Sequence, residues 1–389
     1  MSVNDDVAGE AKRVSAMLVV GTRPEIVKAA PVVRAAEANE RVDLTLVHTN
    51  QHYDAELSDV FFETLELDPP SVDLEVGSGS HGEQTADALV GVERLLQERD
   101  PDVVLAVGDT NTVLSTALAA SKLPVAFGHV EAGIRSGDLS MPEEVNRILA
   151  DHVGDLLFAP TEEAATNLTH EGIDRNVRMT GNTVVDACRT HARIAESRSD
   201  VLDRFGLEPE GYAVATVHRP RNTDDPDRLA STLEALDDAP LPVVFPVHPR
   251  TRSAIDALDF ESTGALRTVE PLDYLDFLAL LSEAQLVVTD SGGVQEEASI
   301  LERPCLTVRP NTERPETVDA GVNELVEPAD LAARIRTLHG DEAVRTAMTG
   351  HPDLYGDGRA GERIVDTLVE RFEPEGGPAD REPGVDSQS

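Results

Sequence analysis

Residues 15–39 read SAMLVVGTRPEIVKAAPVVRAAEAN, a strand-like run that passes through a short polar turn into a helical segment. The first six residues are almost entirely apolar, which is typical of a strand covered by helices on both faces of its sheet. The segment from Pro24 to Asn39 has helical periodicity. A strand followed directly by a helix is the repeating unit of a parallel α/β sheet.

The same unit recurs in two series along the chain. The first series continues to about Thr180 with strand-like runs at 42–48, 103–108, 125–130 and 155–160, and with a further helix expected over Thr110–Ser121. The second series begins after Gly211, with runs at 212–218, 242–248, 266–270, 285–290, 304–308 and 322–327. Its helices are expected over Asp225–Leu236, Tyr274–Leu281, Gly292–Leu301 and Ala329–Leu338. Two series predict two doubly wound, Rossmann-like α/β domains, with the cleft between them as the expected active site.

The expected domain boundaries follow from these series and from the composition of the ends. Residues 1–12 are expected to be a flexible tail, 13–182 the first domain and 183–357 the second. A last helical segment, 358–372, precedes a Pro/Gly-rich charged tail at 373–389 that is expected to be disordered.

The charge balance is extreme. The chain has 33 Lys+Arg against 73 Asp+Glu, a formal net charge of −40. Nucleic-acid binding depends on clustered cations, so this composition argues against a nucleic-acid partner. Only Lys12, Lys28 and Lys122 are lysines. Excess carboxylate keeps a protein hydrated in molar salt, where the Debye length falls to about 3 Å, so we interpret the composition as halophilic adaptation. The alternative, an acidic face for a cationic partner, fits less well because the acids are spread along the chain.

The cysteines and the N-terminus indicate a cytoplasmic protein. Cys188 and Cys305 form neither a disulfide framework nor a zinc-ligand spacing, and both are expected to be small buried residues. The N-terminal sequence has acids where a signal peptide has cations, and no run is long and apolar enough for a membrane span.

Polar clusters follow many of the predicted strands. Because the carboxyl ends of parallel strands lie at one edge of a sheet, we expect these clusters to line a common site. The clusters are Gly21–Glu25, His48–His52, Gly108–Thr112, His129–Gly133, His218–Arg219, His248–Arg250 and Asp290–Gly293.

The cluster Asp290–Gly293 predicts a phosphate site. It follows a strand and opens a helix, and its two glycines allow an anion to approach the free N–H groups at the positive helix end. It is neither a GxGxxG nor a Walker A motif. The alternative is an ordinary helix start with Ser291 as N-cap. Glu297, one turn on, is placed to bind a ribose.

Further residues predict charge stabilisation and acid/base chemistry. In a chain so poor in lysine, Lys28 beside Arg23 indicates a need for positive charge at the site, although a solvated helix lysine is the simpler alternative. Asp109, Glu131 and Glu143 are candidate acid/base groups, because neighbouring carboxylates can divide the two roles. Each could also be a turn or first-turn residue. His218 adds a group that titrates near neutrality.

Several motifs together resemble a known family, the non-hydrolysing UDP-N-acetylglucosamine 2-epimerases. They occur in family order from Val14 to Phe372: GTRPEIVKAAP, GDTNT, HVEAGIRSGD, PEEVNR, TVHR, PVHPR, DSGGVQEEA and TERPET. The resemblance implies a two-domain fold of the glycosyltransferase-B type, a homodimer, a C-terminal helix that returns to the first domain, and no metal or redox cofactor. It implies reversible interconversion of UDP-GlcNAc and UDP-ManNAc, by elimination of UDP to 2-acetamidoglucal and re-addition.

The resemblance also implies roles for individual residues. Leu272 and Phe277 would bind the uracil and Glu297 the ribose, in the second domain. Glu131 is the first candidate for the base at C2, within an acid/base set of Asp109, Glu131 and Glu143, with His218 close to the chemistry. The residues implied at the nucleotide, chiefly its diphosphate, are Arg23, Lys28, His218, Ser291, Gly292, Gly293 and Arg314.

The chain departs from the family pattern at two places. Pro220-Arg221-Asn222 stands where Arg-Glu-Asn is usual. Gln51-His52 is followed by Tyr53-Asp54, whereas bacterial members use a QHR-type segment to bind a second UDP-GlcNAc as activator.

Four other functions fit parts of the pattern. They are a UDP-sugar-dependent glycosyltransferase of the same fold, a hydrolysing epimerase that releases ManNAc, a sugar-nucleotide sensor, and an epimerase of a UDP-diacetamido-uronic acid. The GTRPE and TERPE pair argues against the transferase, and the complete acid/base set argues against the sensor.

Overall fold

A computed structural model describes residues 13–50, 61–350 and 353–372. The two expected tails, 1–12 and 373–389, and the segment Gln51–Asp54 lie outside these residues. The described chain divides into two units. One contains the residues up to Thr180 together with those from Gly361, and the other is Gly181–Ala360.

The first unit is built on a seven-stranded parallel sheet. Its strands are β1 (Val14–Val20), β2 (Val42–His48), β3 (Val72–Asp73), β4 (Val103–Val107), β5 (Ala126–Val130), β6 (Leu156–Ala159) and β7 (Val177–Met179). Its helices include α1 (Arg23–Glu37), α2 (His81–Arg99), α3 (Asn111–Ala120), α4 (Pro142–Val153) and α5 (Glu162–His170), and residues 61–64 are also helical. The strand order is β3-β2-β1-β4-β5-β6-β7, so the winding reverses between β1 and β4.

The second unit is built on a six-stranded parallel sheet. Its strands are β8 (Ala213–Thr216), β9 (Val243–Pro246), β10 (Leu266–Val269), β11 (Leu286–Thr289), β12 (Cys305–Thr307) and β13 (Asn323–Leu325). Its helices are α6 (Thr183–Arg198), α7 (Val201–Phe205), α8 (Pro220–Thr223), α9 (Pro226–Asp237), α10 (Pro249–Ala257), α11 (Tyr274–Ser282), α12 (Gly292–Ile300), α13 (Pro315–Asp319), α14 (Pro328–Gly340) and α15 (Glu342–Ala347). The order β10-β9-β8-β11-β12-β13 places the reversal between β8 and β11.

The two doubly wound sheets confirm the predicted fold class. All six strand-like runs of the second series are strands, but the first sheet has two strands that the sequence reading missed, β3 and β7. Both lie at the sheet edges. They are short and partly exposed, so they lack the continuous apolar run by which a buried parallel strand is recognised.

The sheets are the centres of the two cores. In the first unit, Met17, Val104 and Phe127 of the sheet pack with Val92 of α2 and Val113 of α3, and all five are essentially buried. Burying a side chain of this size contributes about 1.5–3 kcal/mol. The packed helices therefore hold the strands in place. The loops at the carboxyl ends of the strands consequently lie in defined positions. No helix within the described residues is long and apolar enough to cross a membrane.

The final helix, α16 (Ala360–Phe372), packs on the first unit from Gly361 onward. Ile364 and Leu368 are fully buried, and the Arg363 guanidinium donates to the carbonyl oxygen of Thr180 at 3.0 Å. Gly361 lies directly against α1. A Cβ at this position would lie 2.5 Å from the carbonyl oxygen of Pro31 and 2.6 Å from its carbonyl carbon.

Gly361→Ala is therefore expected to loosen α16. The obstacle is backbone, which cannot rotate away, so we expect a loss of about 1–3 kcal/mol in the free energy of unfolding. Denaturant melts of the two proteins measure it. Gly340→Ala is the matched control, because a Cβ there meets nothing within 4 Å and the residue also lies in a helix. Equal stability of the two variants would contradict the close packing.

Candidate active site

The loops at the reversal of the first sheet are joined by Glu25, a buried carboxylate in the first turn of α1. The N–H groups of Gly21 and Thr22 donate to its Oε2 at 2.7 and 2.8 Å. The Thr110 hydroxyl, at the start of α3, donates to its Oε1 at 2.5 Å. Burial raises the pKa of Glu25 to about 7 against the effect of these donors, and Asp109 adds to the increase. Glu25 thus fixes the loop after β1 to the loop after β4.

Glu131 lies directly after β5 and pairs with Lys28 of α1. The Lys28 Nζ is 2.6 Å from the Glu131 Oε2, and the carboxylate side chain is only 4% exposed. The second oxygen, Oε1, is buried without a hydrogen-bond partner among the described residues. The backbone of Glu131 has φ +72°, in the left-handed region that non-glycine residues rarely adopt.

Asp109, directly after β4, is held by Arg147 of α4. The Arg147 Nη2 lies 2.7 Å from the Asp109 Oδ2, and its Nη1 lies 2.6 Å from the Glu144 Oε2. Glu144 is buried and also accepts the N–H groups of Ser136 and Gly137. Arg147 therefore bridges a buried acid to a partly exposed one.

Glu143 precedes Glu144 in the first turn of α4 and is half-buried. It lies four residues before Arg147 on the same helix. Unlike Asp109 and Glu131, it is therefore not in a loop at a strand end.

A buried histidine lies beneath this loop cluster. The Nδ1 of His129 is 2.6 Å from the Asp151 Oδ1, and its Nε2 is 2.8 Å from the carbonyl oxygen of Gly108. Both partners are acceptors, so both ring nitrogens must carry hydrogen. Burial alone would lower the pKa of His129, but Asp151 and the Gly108 carbonyl outweigh it and the pKa is raised. His129 is thus an internal cation that holds the Gly108 loop.

Arg135 completes the surroundings of Asp151. Its Nη1 lies 2.8 Å from the Asp151 Oδ2, and the N–H of Gly133 donates to the same oxygen at 3.0 Å. Burial would raise the pKa of Asp151, but His129 and Arg135 outweigh it and hold the pKa below its usual range.

Arg23 is the first residue of α1 and is exposed. Its guanidinium lies over the ring of Phe61, 5.8 Å from the centroid.

In the second unit, the reversal between β8 and β11 is occupied by Asp290 and His218. Asp290 is fully buried and accepts the N–H groups of His218 and Arg219 and the amide of Asn222, at 2.9–3.1 Å. The His218 Nδ1 lies 3.1 Å from the Asp290 Oδ1, while 48% of the His218 side chain is exposed. Asp290 therefore fixes the loop that carries His218.

Helix α12 begins at Gly292, with Ser291 at the N-cap position. The Ser291 side chain makes no capping hydrogen bond. Glu313 lies near this helix start, its Oε2 3.9 Å from the place of a Cβ on Gly292. Arg309 binds both Glu313 oxygens at 2.6 and 2.8 Å and lowers the pKa of Glu313 to about 2. The charged group that the structure places near this helix start is thus the Glu313 carboxylate, which Arg309 neutralises.

The remaining predicted residues of this unit surround α12 and α11. Burial, with the neighbouring Glu296 carboxylate, raises the pKa of Glu297 to about 8, against a hydrogen bond from Tyr274. Leu272 and Phe277 are half-buried against the core. The Arg314 Nε lies 2.5 Å from the Glu296 Oε1, so Arg314 is joined to α12 through Glu296.

The structure thus gathers the predicted residues into two sets, one in each unit. Lys28, Glu131 and Asp109 lie around the reversal of the first sheet, and His218 and Ser291 lie at the reversal of the second. The sequence reading missed the residues that hold them: Glu25, His129, Glu144, Arg147, Asp151, Asp290, Arg309 and Glu313. Glu25, His129 and Asp290 were inside quoted strand-end clusters, which was the available signal. No group of three or more His, Cys, Asp or Glu in the described ranges could hold a metal ion.

Two parallel α/β domains with polar loops at their sheet reversals define a protein of the glycosyltransferase-B type. The family profile described as UDP-N-acetylglucosamine 2-epimerase matches residues 34–369. The UDP-N-acetylglucosamine 2-epimerase of Methanocaldococcus jannaschii is 43% identical over 366 residues, covering 90% of this chain and 98% of the relative. The chain belongs to the UDP-N-acetylglucosamine 2-epimerase family, as its motifs predicted.

Two further comparisons describe its neighbours in the family. The crystal structure of the M. jannaschii enzyme in complex with UDP-GlcNAc and UDP has a TM-score of 0.78 at 42% identity, covering 92% of this chain and all (100%) of that one. The UDP-2,3-diacetamido-2,3-dideoxy-D-glucuronate 2-epimerase of Pseudomonas aeruginosa is 40% identical, covering 91% of this chain and 99% of the relative.

The His129–Asp151 pair predicts a pH dependence of stability. Because the folded pKa of His129 is raised, its contribution is fully present below about pH 6.5, the ordinary histidine value, and is lost as pH rises through the folded pKa. His129→Gln should cost about 3 kcal/mol near pH 6, and this difference from wild type should shrink at higher pH. Denaturant melts across pH measure it. His152→Gln is the control, because His152 lies on the helix that carries Asp151 but is 46% exposed. A pH-independent difference for His129→Gln would contradict the imidazolium.

Proposed function

We propose that this protein interconverts UDP-GlcNAc and UDP-ManNAc without hydrolysis, by eliminating UDP to 2-acetamidoglucal and adding it back. The observation that carries the proposal is the Glu131 carboxylate, which is buried, held by Lys28 on one oxygen, and without a partner among the described residues on the other. A fixed carboxylate oxygen of this kind suits the removal of a proton from carbon. The choice of epimerisation as the reaction comes from membership of the epimerase family.

The order of bond changes follows from the substrate. The C2 proton of the sugar is not next to a carbonyl group, so its direct removal by a carboxylate is prohibitively difficult. Breaking the C1–O bond first builds positive charge at C1 and acidifies the C2 proton. The protein must therefore stabilise a leaving diphosphate and hold a base near C2. The first unit carries the acid/base candidates together with Arg23 and Lys28, and the second carries the start of α12 together with His218 and Arg314.

We assign the proton transfers mainly to the first unit. Glu131 is the candidate base at C2, and Asp109 and Glu143 are the other acid/base candidates. Lys28 holds Glu131 in place and, with Arg23, adds positive charge. Arg147 fixes the Asp109 carboxylate through a 2.7 Å contact, so that it can work from a defined position.

We assign nucleotide binding to the second unit. The N–H groups at Ser291, Gly292 and Gly293 would face the diphosphate at the positive end of α12. Arg314 and His218 would add charge there. Glu297 would bind the ribose hydroxyls, a role that suits a carboxyl with a raised pKa because the neutral form can both donate and accept. Leu272 and Phe277 would hold the uracil.

The family resemblance further supports a cytoplasmic homodimer. Val145 and Leu149 are 39% and 44% exposed and lie one turn apart on α4. Such a pair offers an apolar face of the kind found at interfaces between subunits.

Proton NMR of the protein with UDP-GlcNAc in D₂O at molar salt tests the function. We expect a UDP-ManNAc anomeric signal, with deuterium incorporated at C2 in both sugars. Release of free ManNAc would instead identify a hydrolysing enzyme. Turnover of a UDP-diacetamido-uronic acid with none of UDP-GlcNAc would overturn the substrate assignment.

Glu131→Gln should abolish turnover while leaving UDP binding nearly intact, because it deletes a base without changing shape. Loss of a general base costs roughly 10²- to 10⁴-fold in rate. Turnover by NMR and UDP affinity by calorimetry are the measurements. Glu98→Gln is the control, since that side chain is 60% exposed on α2. More than about a tenth of wild-type rate in Glu131→Gln would contradict this role.

Halophilic adaptation is the proposal that the net charge of −40 supports. Activity and folding should require molar KCl or NaCl, because carboxylate self-repulsion is screened only when the Debye length is about 3 Å. Turnover and circular dichroism measured from dilute buffer to molar salt check this. Full activity in dilute buffer would refute it.

A further inference from the structure

Asp290 is positioned to control the protonation of His218. It follows β11 and is 0% exposed, and its Oδ1 lies 3.1 Å from the His218 ring nitrogen Nδ1. Three other donors hold the carboxylate: the backbone N–H groups of His218 and Arg219, and the Asn222 side-chain amide. A carboxylate held from so many sides cannot rotate away from the ring.

The contact fixes which ring nitrogen carries hydrogen. Burial would raise the pKa of Asp290, but the donors from His218, Asn222 and Arg219 outweigh it and hold the pKa below its usual range. An ionised carboxylate only accepts hydrogen bonds, so a lone pair on Nδ1 would face it unfavourably. The hydrogen therefore belongs on Nδ1, and Nε2 is the nitrogen with a variable proton.

We propose that Asp290 is a positioning residue that fixes His218 in the Nδ1–H tautomer and so reserves Nε2 for proton exchange with the nucleotide sugar. This inference deepens the proposed function and rests on it for the identity of the ligand. The tautomer itself depends only on residues of the second unit.

Elimination and re-addition each involve two proton transfers. In elimination, the C1–O bond breaks and its electron pair goes to the β-phosphate oxygen, which takes the proton from Nε2 of the His218 imidazolium. Glu131 takes the C2 proton, and the C2–H electron pair becomes the C1=C2 double bond. In re-addition, His218 Nε2 takes the proton back from the phosphate oxygen, which bonds to C1. A second, protonated acid of the set, Asp109 or Glu143, gives its proton to C2 on the opposite face, and the C1=C2 electron pair forms the new C2–H bond. Glu131 and the second acid return to their starting protonation by exchange with water. Asp290 stays ionised throughout and stabilises the imidazolium.

The tautomer is measured without substrate by long-range ¹H–¹⁵N correlation NMR of protein labelled at histidine. The His218 ring signals are assigned by comparison with His218→Gln. In the neutral ring, we expect wild type to show a protonated Nδ1 and an unprotonated Nε2. In Asp290→Asn the side-chain amide can offer an N–H to Nδ1, so the ring proton should move to Nε2.

Asn222→Ser is the matched control. It also removes a hydrogen bond to Asp290, of 3.0 Å, but leaves the carboxylate at Nδ1, so the tautomer should stay as in wild type. In turnover assays, Asp290→Asn should lower kcat by about 10²-fold with little change in KM. The neutral His218 ring would carry its hydrogen on Nε2 instead of Nδ1, while the other residues proposed to bind the nucleotide would be unchanged.

The outcomes separate this inference from the proposed function. A wild-type protein with the hydrogen on Nε2 overturns the inference, and that measurement needs no variant to fold. The same tautomer in Asp290→Asn as in wild type also overturns it. The expected tautomers in a protein that does not turn over UDP-GlcNAc would support the Asp290–His218 pairing and refute the proposed function instead.

Discussion

Both sheets are parallel throughout, and this one constraint determines where the polar residues lie. Parallel strands end at a single edge, and the winding of each sheet reverses at one pair of strands, β1/β4 and β8/β11. At a reversal the two following loops diverge and leave room for a ligand. The candidate groups Lys28, Asp109, Glu131, His218 and Ser291 follow strands at or beside these two places. Within each unit, the fold therefore brings together candidate groups that are far apart in sequence.

Several acids of the candidate site are paired with cations, in a chain whose net charge is −40. Lys28 balances Glu131, and Arg147 joins Asp109 to Glu144. Without such local cations, the desolvation of several carboxylates in one place would be prohibitive. Arginine serves where two acids must be bridged, because its planar group binds in two directions at once.

Much of the fold was predictable because buried parallel strands have a plain signature. The bounds of β2 were predicted at 42–48 and are the same in the structure, whereas the edge strands β3 and β7 lack that signature and were missed. Candidate site residues could be predicted because they are polar or charged and follow predicted strands. Their supports were not, because the pairing of His129 with Asp151 spans 22 residues and depends on the register of α4 against the sheet. Sequence periodicity indicates a helix, but it does not say which of its side chains meets which loop.

The left-handed backbone of Glu131 has an evolutionary consequence. A side chain at φ +72° costs about 1–2 kcal/mol relative to glycine, so the fold by itself would favour glycine at this position. A change to glycine would relieve this backbone strain, but it would also remove the ion pair between Lys28 and the buried Glu131 carboxylate. The two effects on stability oppose each other. In evolution, backbone strain alone therefore does not drive position 131 towards glycine.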